Sequence, residues 1–294
     1  MATVNFNDGI FAQEALNAFV AALTPLNAFA KDFSSQTAQK GNAIYVPRID
    51  GVTSTTFNSS YTGTGGTINT ITVNLDQHRI TTVDLTDVQQ LNSSAAVVQN
   101  MARQQGKSLA KMVTQDIWRL LTIPNFGAAI VTTAAANWTK TQVRAMRKAL
   151  MESDVDMSMA SLIADVDVYD ALLGDSNIVQ AFQYGGSEAI REGRIPRLFG
   201  MNIYETNILP SLTTTIGAFI VHPDAIAVAM RYLEPQDTSA YAAAFKVTDP
   251  ESGITMGYRR HMSPGRGTMF ANFEILFGYG VGVTLGMVIA TSPD

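Results

Sequence analysis

Residues Ser59 to His78 read SSYTGTGGTINTITVNLDQH. Gly63, Gly65 and Gly66 mark a turn, and the Thr-rich run after them favours extended backbone, with Ile68, Ile71 and Val73 as its few apolar positions. Working outward, AIYVP at 43–47, Thr53–Phe57, Thr67–Leu75 and Arg79–Leu85 have the same strand character. Between Gly41 and Asp87 almost nothing could form a core. A polar hairpin of this length is marginal alone and needs a surface to lie on.

Composition narrows the classes. The 294 residues suffice for one large or two modest domains, and 46% hydrophobic content makes the chain globular. Only 15% are charged, below the usual quarter, so much nominal surface is expected to face protein. Net charge is -5 with no basic tail, which disfavours wrapping nucleic acid as the main activity. No Cys is present, which excludes disulfides, thiolate zinc sites and Cys nucleophiles. The first basic residue is Lys31, with Asp8 and Glu14 interrupting the apolar start, so no signal peptide is expected. No apolar run is long enough for a bilayer, and a cytosolic product is expected.

Before the hairpin, Phe11, Ala15, Leu16, Phe19, Val20 and Leu23 recur at helical spacing, too apolar to float free. After it, Asn92–Thr122 predicts a helix of about 45 Å, with Pro124 as its stop. Gly106 is a candidate bend within it. Thr139 with Gln142 reads as a capping box, and Trp138 with Val143 as a hydrophobic staple, for a second helix over 139–153. Mixed elements follow: strand SLIADV, helix DVYDALLG, helix GSEAIREG, strands MNIYETNI and AFIVH, an Ala-rich short helix over Asp224–Leu233, then strands AAFKVTD, ITMGYRRHM and FANFEILFGYGVGVTLGMVIA. The class is α+β.

No catalytic constellation emerges. The three histidines, His78, His222 and His261, have no nucleophile elbow or ordering partner in the sequence, and His222 before Pro223 and Asp224 reads as a structural cap. Asp165, Asp167 and Asp170 lack EF-hand spacing and read as a strand end with an N-cap. GYGVGVTLG at 278–286 lacks the helix start and Lys of a phosphate loop, so its glycines read as close strand packing. Met157 and Met159 read as fillers of irregular core gaps. YRRHMSPGRG, with Arg259, Arg260 and Arg266 around a Pro-Gly turn, is the one basic cluster. Pairing with carboxylates of a neighbouring chain is the favoured reading, a phosphate contact the other.

The layout of arm, long hairpin, long helix and mixed domain resembles a tailed-bacteriophage major capsid protein with the Hong Kong 97-type fold. GRIPRLFGMNIYETNILP (193–210), AFIVHPDAIAVAMRYLEP (218–235), FKVTDPESGITMGYRRH and FEILFGYGVGVTLGMVIA resemble successive segments of such coats. The resemblance implies an N-terminal arm at 1–42 and an extended hairpin, the E-loop, at 43–86. It implies a peripheral domain with a spine helix at 87–160, completed by 229–275, and an axial domain at 161–228, joined by 276–294.

It also implies function: self-assembly through many non-covalent contacts, as hexamers and pentamers, into an icosahedral shell around double-stranded DNA. Arm and hairpin are expected to become ordered against a sister subunit. Contact candidates are Phe11, Phe19, Phe57, Tyr61, Ile68, Ile71, Val73, Arg259, Arg260 and Arg266; hinge candidates are Gly51, Gly106, Gly185 and Gly186. No Lys lies between Lys40 and Lys107, so the isopeptide weld of some relatives cannot start from the loop. Expected partners are copies of the chain, a separate scaffolding protein, a portal and a cement protein, with packaged DNA touched weakly at most, no membrane, no cofactor and no metal. The expected location is the virion, after assembly in the host cytoplasm. The alternatives are an encapsulin-type compartment, a tail-tube or surface-layer subunit, and an enzyme using His222 or His261.

Overall fold

The computed structural model describes residues 8–23, 26–34, 43–49, 56–57, 68–86, 95–175, 178, 195, 197–210, 215–235, 237, 239–250, 253–263, 265 and 267–292. Two six-stranded sheets and a two-stranded hairpin carry the architecture.

The first sheet is organised on β13 (Thr268–Val281), an almost continuous apolar run of the kind a doubly covered strand needs. Its Glu274 faces Gly257 of β12 (Thr255–Ser263) on one side and Ile80 of β4 (Gln77–Thr86) on the other. Further along, Phe277 lies between Met230 of β10 (Ile226–Arg231) and Gln77. β11 (Ala243–Thr248) extends the sheet beyond β12, and β1 (Lys31–Asp32) lies parallel to β10. The expected helix over Asp224–Leu233 is therefore wrong: most of it is strand β10. Its run of Ile, Ala, Val and Met is fully buried, and a strand buried on both faces shows no alternation to tell it from a helix.

Across this sheet lies α3 (Ala95–Trp118), the spine, 24 residues and about 36 Å long. It ends before Pro124, which instead sits in the first turn of the short helix α4 (Ile123–Phe126). Ala102, Leu109, Val113, Ile117 and Trp118 form its buried stripe. The arm helix α1 (Asp8–Ala22) packs along α3, and α2 (Leu26–Phe29) closes the same core, with Phe29 edge-on to Trp118 at 5.8 Å.

The second sheet runs β5 (Val131–Thr132), β14 (Met287–Thr291), β9 (Ile216–Val221), β6 (Ser161–Asp165), β8 (Met201–Thr206), β7 (Arg197–Leu198). Alternation splits it cleanly. Ile163, Phe219 and Ile289 face the first core, where Trp118 meets Phe219 edge-on. Leu162, Ile220 and Val288 face α5 (Lys140–Glu152) and α6 (Val166–Gly174) in a second core. The Thr139–Gln142 capping box is present at the start of α5, and Trp138 and Val143 are both buried beneath it. Residues 131–152 thus pack with the second sheet. The GSEAIREG helix lies outside the described residues, as do Thr53 to Thr55; Thr56 and Phe57 are in no strand.

Two segments cross between the sheets side by side, 222–225 from β9 to β10 and 282–286 from β13 to β14. They are tied together by His222 N donating to Gly286 O at 2.8 Å, Gly282 N to Ala225 O at 2.8 Å and Val283 N to Asp224 O at 2.9 Å. His222 itself caps the turn, its Nδ1 accepting from Asp224 N at 3.3 Å.

Candidate functional site

The candidate site is a set of surfaces. The hairpin is β2 (Ala43–Ile49) paired antiparallel to β3 (Ile68–Asn74), with Ile49 opposite Ile68. β4 leaves it and joins the first sheet, antiparallel to β13. The stem does not float. Ile44, Val46, Val73 and Leu75 form a small core with Ala227, Ala229 and Leu276, and Ile71 packs at its margin. Close approach there depends on missing side chains: a Cβ on Gly278 would stand 2.0 Å from Asn74 O. This accounts for the glycines of 278–286 as strand packing. On the opposite face of the stem Tyr45 is 67% exposed; Phe57, outside any strand, is 64% exposed.

The arm differs from expectation. Phe11 and Phe19 are 2% and 0% exposed, and Phe11 stacks on Phe273 at 5.6 Å. Burying two such rings contributes about 2–3 kcal/mol each, and here the covering surface belongs to the same chain. Their interchain role is therefore corrected to a place in the subunit's own core. At Gly106 α3 runs through without interruption, and the bare Cα admits the α1 backbone.

The basic cluster is also spent internally. Arg259 Nε lies 2.6 Å from Glu274 Oε1, close but not aligned as a hydrogen bond, and Arg259 Nη2 donates to Leu233 O at 2.7 Å. His78 Nε2 reaches the other Glu274 oxygen at 3.2 Å. Arg260 Nε sits 2.9 Å from Asp8 Oδ1, which also accepts from Tyr258 Oη at 2.7 Å. The carboxylates are this chain's own. Burial first, then the Asp8 hydrogen bond, pushes the Tyr258 hydroxyl's pKa well above the ordinary tyrosine value. Arg79 grips Asp116 with two bonds, 2.6 and 3.0 Å, clamping β4 to the spine. Val73 is buried in the stem; Ile68 is in β3; Tyr61, Arg266, Gly51, Gly185 and Gly186 lie outside the described residues.

Among the described residues no histidine faces a nucleophile–base pair. His261 Nδ1 is 3.2 Å from the Asn272 amide, and the other two are engaged as above. Among the described residues no group of three or more His, Asp or Glu could hold a metal. No helix among the described residues is long and apolar enough to cross a membrane. The lone Glu274 in an apolar strand was a readable sign of an internal cation; Tyr45 was readable from the alternation Ile44, Tyr45, Val46. Nothing local signals the Arg79–Asp116 clamp.

A hairpin on a glycine-lined sheet, a spine helix and a second sheet form the frame of the subunit. The family model described as phage capsid protein matches residues 77–283, more than two thirds of the chain. The chain belongs to the phage capsid protein family. Solved phage capsid structures share its fold. A solved structure from Mycobacterium phage Che8 is similar over 92% of this chain and 90% of that one, with TM-score 0.60 and 16% identity. The capsid of cyanophage P-SCSP1u is similar over 90% and 86%, with TM-score 0.65 and 15% identity. The mature capsid of bacteriophage PhiM1 is similar over 92% and 87%, with TM-score 0.58 and 14% identity. No curated protein sequence matches. This phage capsid protein is a major capsid protein with the Hong Kong 97-type α+β fold, a structural component of a virion.

Proposed function

We propose that copies of this capsid protein associate as hexamers and pentamers into an icosahedral shell around double-stranded DNA, with the projecting hairpin as a clamp on the neighbouring subunit. One observation carries the clamp. The inner face of the stem is filled by its own subunit, while Tyr45 and Phe57 expose most of their rings. Large exposed apolar groups on a projecting element mark a protein contact. Each contact is weak, and closure of a shell sums many of them.

In this reading the first sheet with the spine is the peripheral domain, and the second sheet with α5 and α6 is the axial domain. No Lys lies between Lys40 and Lys107, so cohesion rests on burial without a covalent weld from the loop. Scaffolding, portal and cement proteins are further partners. DNA is touched weakly, as the net charge of -5 favours. Assembly takes place in the host cytoplasm, and the chain carries no catalytic activity.

The test is expression followed by negative-stain imaging of the full chain and of a variant lacking 53–67, a cut that spares the Val73 anchor. Closed shells from the full chain and none from the shortened one are expected. Normal shells from the shortened chain would remove the clamp.

A further inference from the structure

The second domain carries two helices of opposite charge. On α5, Arg144 and Lys148 are exposed and Arg147 is partly covered. With Met151, Glu152 and Phe199 they line a groove of about 750 Å³. Arg147 Nε is shut off from solvent without a hydrogen-bond partner. Among the described residues neither Arg144 nor Arg147 has a carboxylate partner; Lys148 reaches only Glu152, at 3.5 Å, with both side chains largely in solvent. Phe199 forms the rim. It sits at φ 52 beside Gly200 at φ 86, in the two-residue turn that pairs Leu198 with Met201. A left-handed phenylalanine costs about 1–2 kcal/mol, and here that conformation leaves an exposed ring next to the cations.

α6 is the complement. Asp167 and Asp170 lie one turn apart on its exposed side, the helix has no basic residue, and neither forms an ion pair among the described residues. α5 packs on β5, β14 and β9, whereas α6 packs on β6, β8 and β9, so they cover different halves of the sheet. A head-to-tail ring requires two different, mutually complementary patches on each copy.

We infer that the Arg144–Arg147–Lys148 groove of one subunit receives the Asp167–Asp170 face of the next around the capsomer axis. The inference rests on reading the second domain as axial. A second copy suits the groove better than nucleic acid does, because a phosphate ligand leaves the complementary acidic helix without a role and the chain as a whole is acidic. Charge pairs of this kind set register and exclude wrong partners more than they add affinity.

Reversal of each side tests it. R144E with K148E, and separately D167K with D170K, are expected to lower the yield of closed particles at least about tenfold, read by size exclusion and negative stain. Circular dichroism melting should show both variants folded. The variant carrying all four reversals is expected to recover assembly, an outcome that misfolding cannot produce. Wild-type-like yields from both double variants would overturn the inference. So would a four-fold variant no better than either double, or R144E/K148E shells that close normally but retain less DNA. Failure of the unaltered chain to form shells would instead remove the underlying axial reading, and the inference with it.

Discussion

The carbonyl oxygen of Ala15 lies 2.1 Å from the point a Cβ on Gly106 would occupy. Two helix backbones meet there, and no side-chain movement can relieve a methyl group placed between them. Gly106→Ala should gain about 1 kcal/mol of helix propensity and lose more, since overpacking against backbone costs about 1–3 kcal/mol or beyond. The arm helix should loosen, seen as faster proteolysis of residues 8–23 and a lower melting temperature. A higher melting temperature would show that the helices can separate cheaply.

Asp116 is 3% exposed and accepts both bonds of the Arg79 fork. Asp116→Asn should destabilise by about 2 kcal/mol, less than a fully buried pair because Arg79 retains access to water. Urea unfolding measures the loss. Hydrogen exchange should localise it to β4 and the middle of the spine; an unchanged β4 would mean that the ladder with β13 suffices.

Tyr258 gives an alkaline signature. Its hydroxyl's pKa is raised in the folded state by burial and by donation to Asp8. Below about pH 10, the ordinary tyrosine value, folded and unfolded chains are both protonated and the full stability is present. Above it the unfolded chain loses the proton more readily, so stability falls as pH rises. Tyr232 and Tyr279 act in the same sense, each raised mainly by burial. Tyr258→Phe should therefore be weaker at pH 8 yet lose less between pH 8 and 11. Parallel pH profiles for the two proteins would contradict the assignment.

Gly278 and Gly280 form a graded pair. A Cβ on Gly278 would meet Asn74 O at 2.0 Å, and one on Gly280 would meet Thr72 O at 3.3 Å. Gly280→Ala should be tolerated within about 1 kcal/mol, whereas Gly278→Ala should displace the stem at about 1–3 kcal/mol. Amide exchange in β2 and β3 separates the two. Equal exchange in both variants would show that the stem is not seated on this strand.

The projecting hairpin, the spine and the capping box were legible because each rests on local chemistry: Thr and Gly for the first, a helical stripe for the second, Thr139 and Gln142 for the third. What stayed hidden depends on tertiary partners. β10 looked helical because burial on both faces erased its period. Phe11 and Phe19 showed that the arm must dock, but not that its dock lay on α3 of the same chain. Arg259 and Arg260 announced a need for carboxylates without naming Glu274 and Asp8, which lie far off in sequence or in an apolar strand. Gly106 signalled flexibility by type, and only the crossing of α1 gives it a packing role.

The paired crossing at 222–225 and 282–286 constrains how the protein can adapt to unequal surroundings. A single-strand link would act as a free joint. Two backbones that each pass through a short 3-10 turn and are stitched to one another by hydrogen bonds cannot move independently without breaking those bonds. Ile163, Phe219 and Ile289 of the second sheet also pack in the first core, so any adjustment that a subunit makes to its local curvature should carry the crossing, the spine and that shared core together.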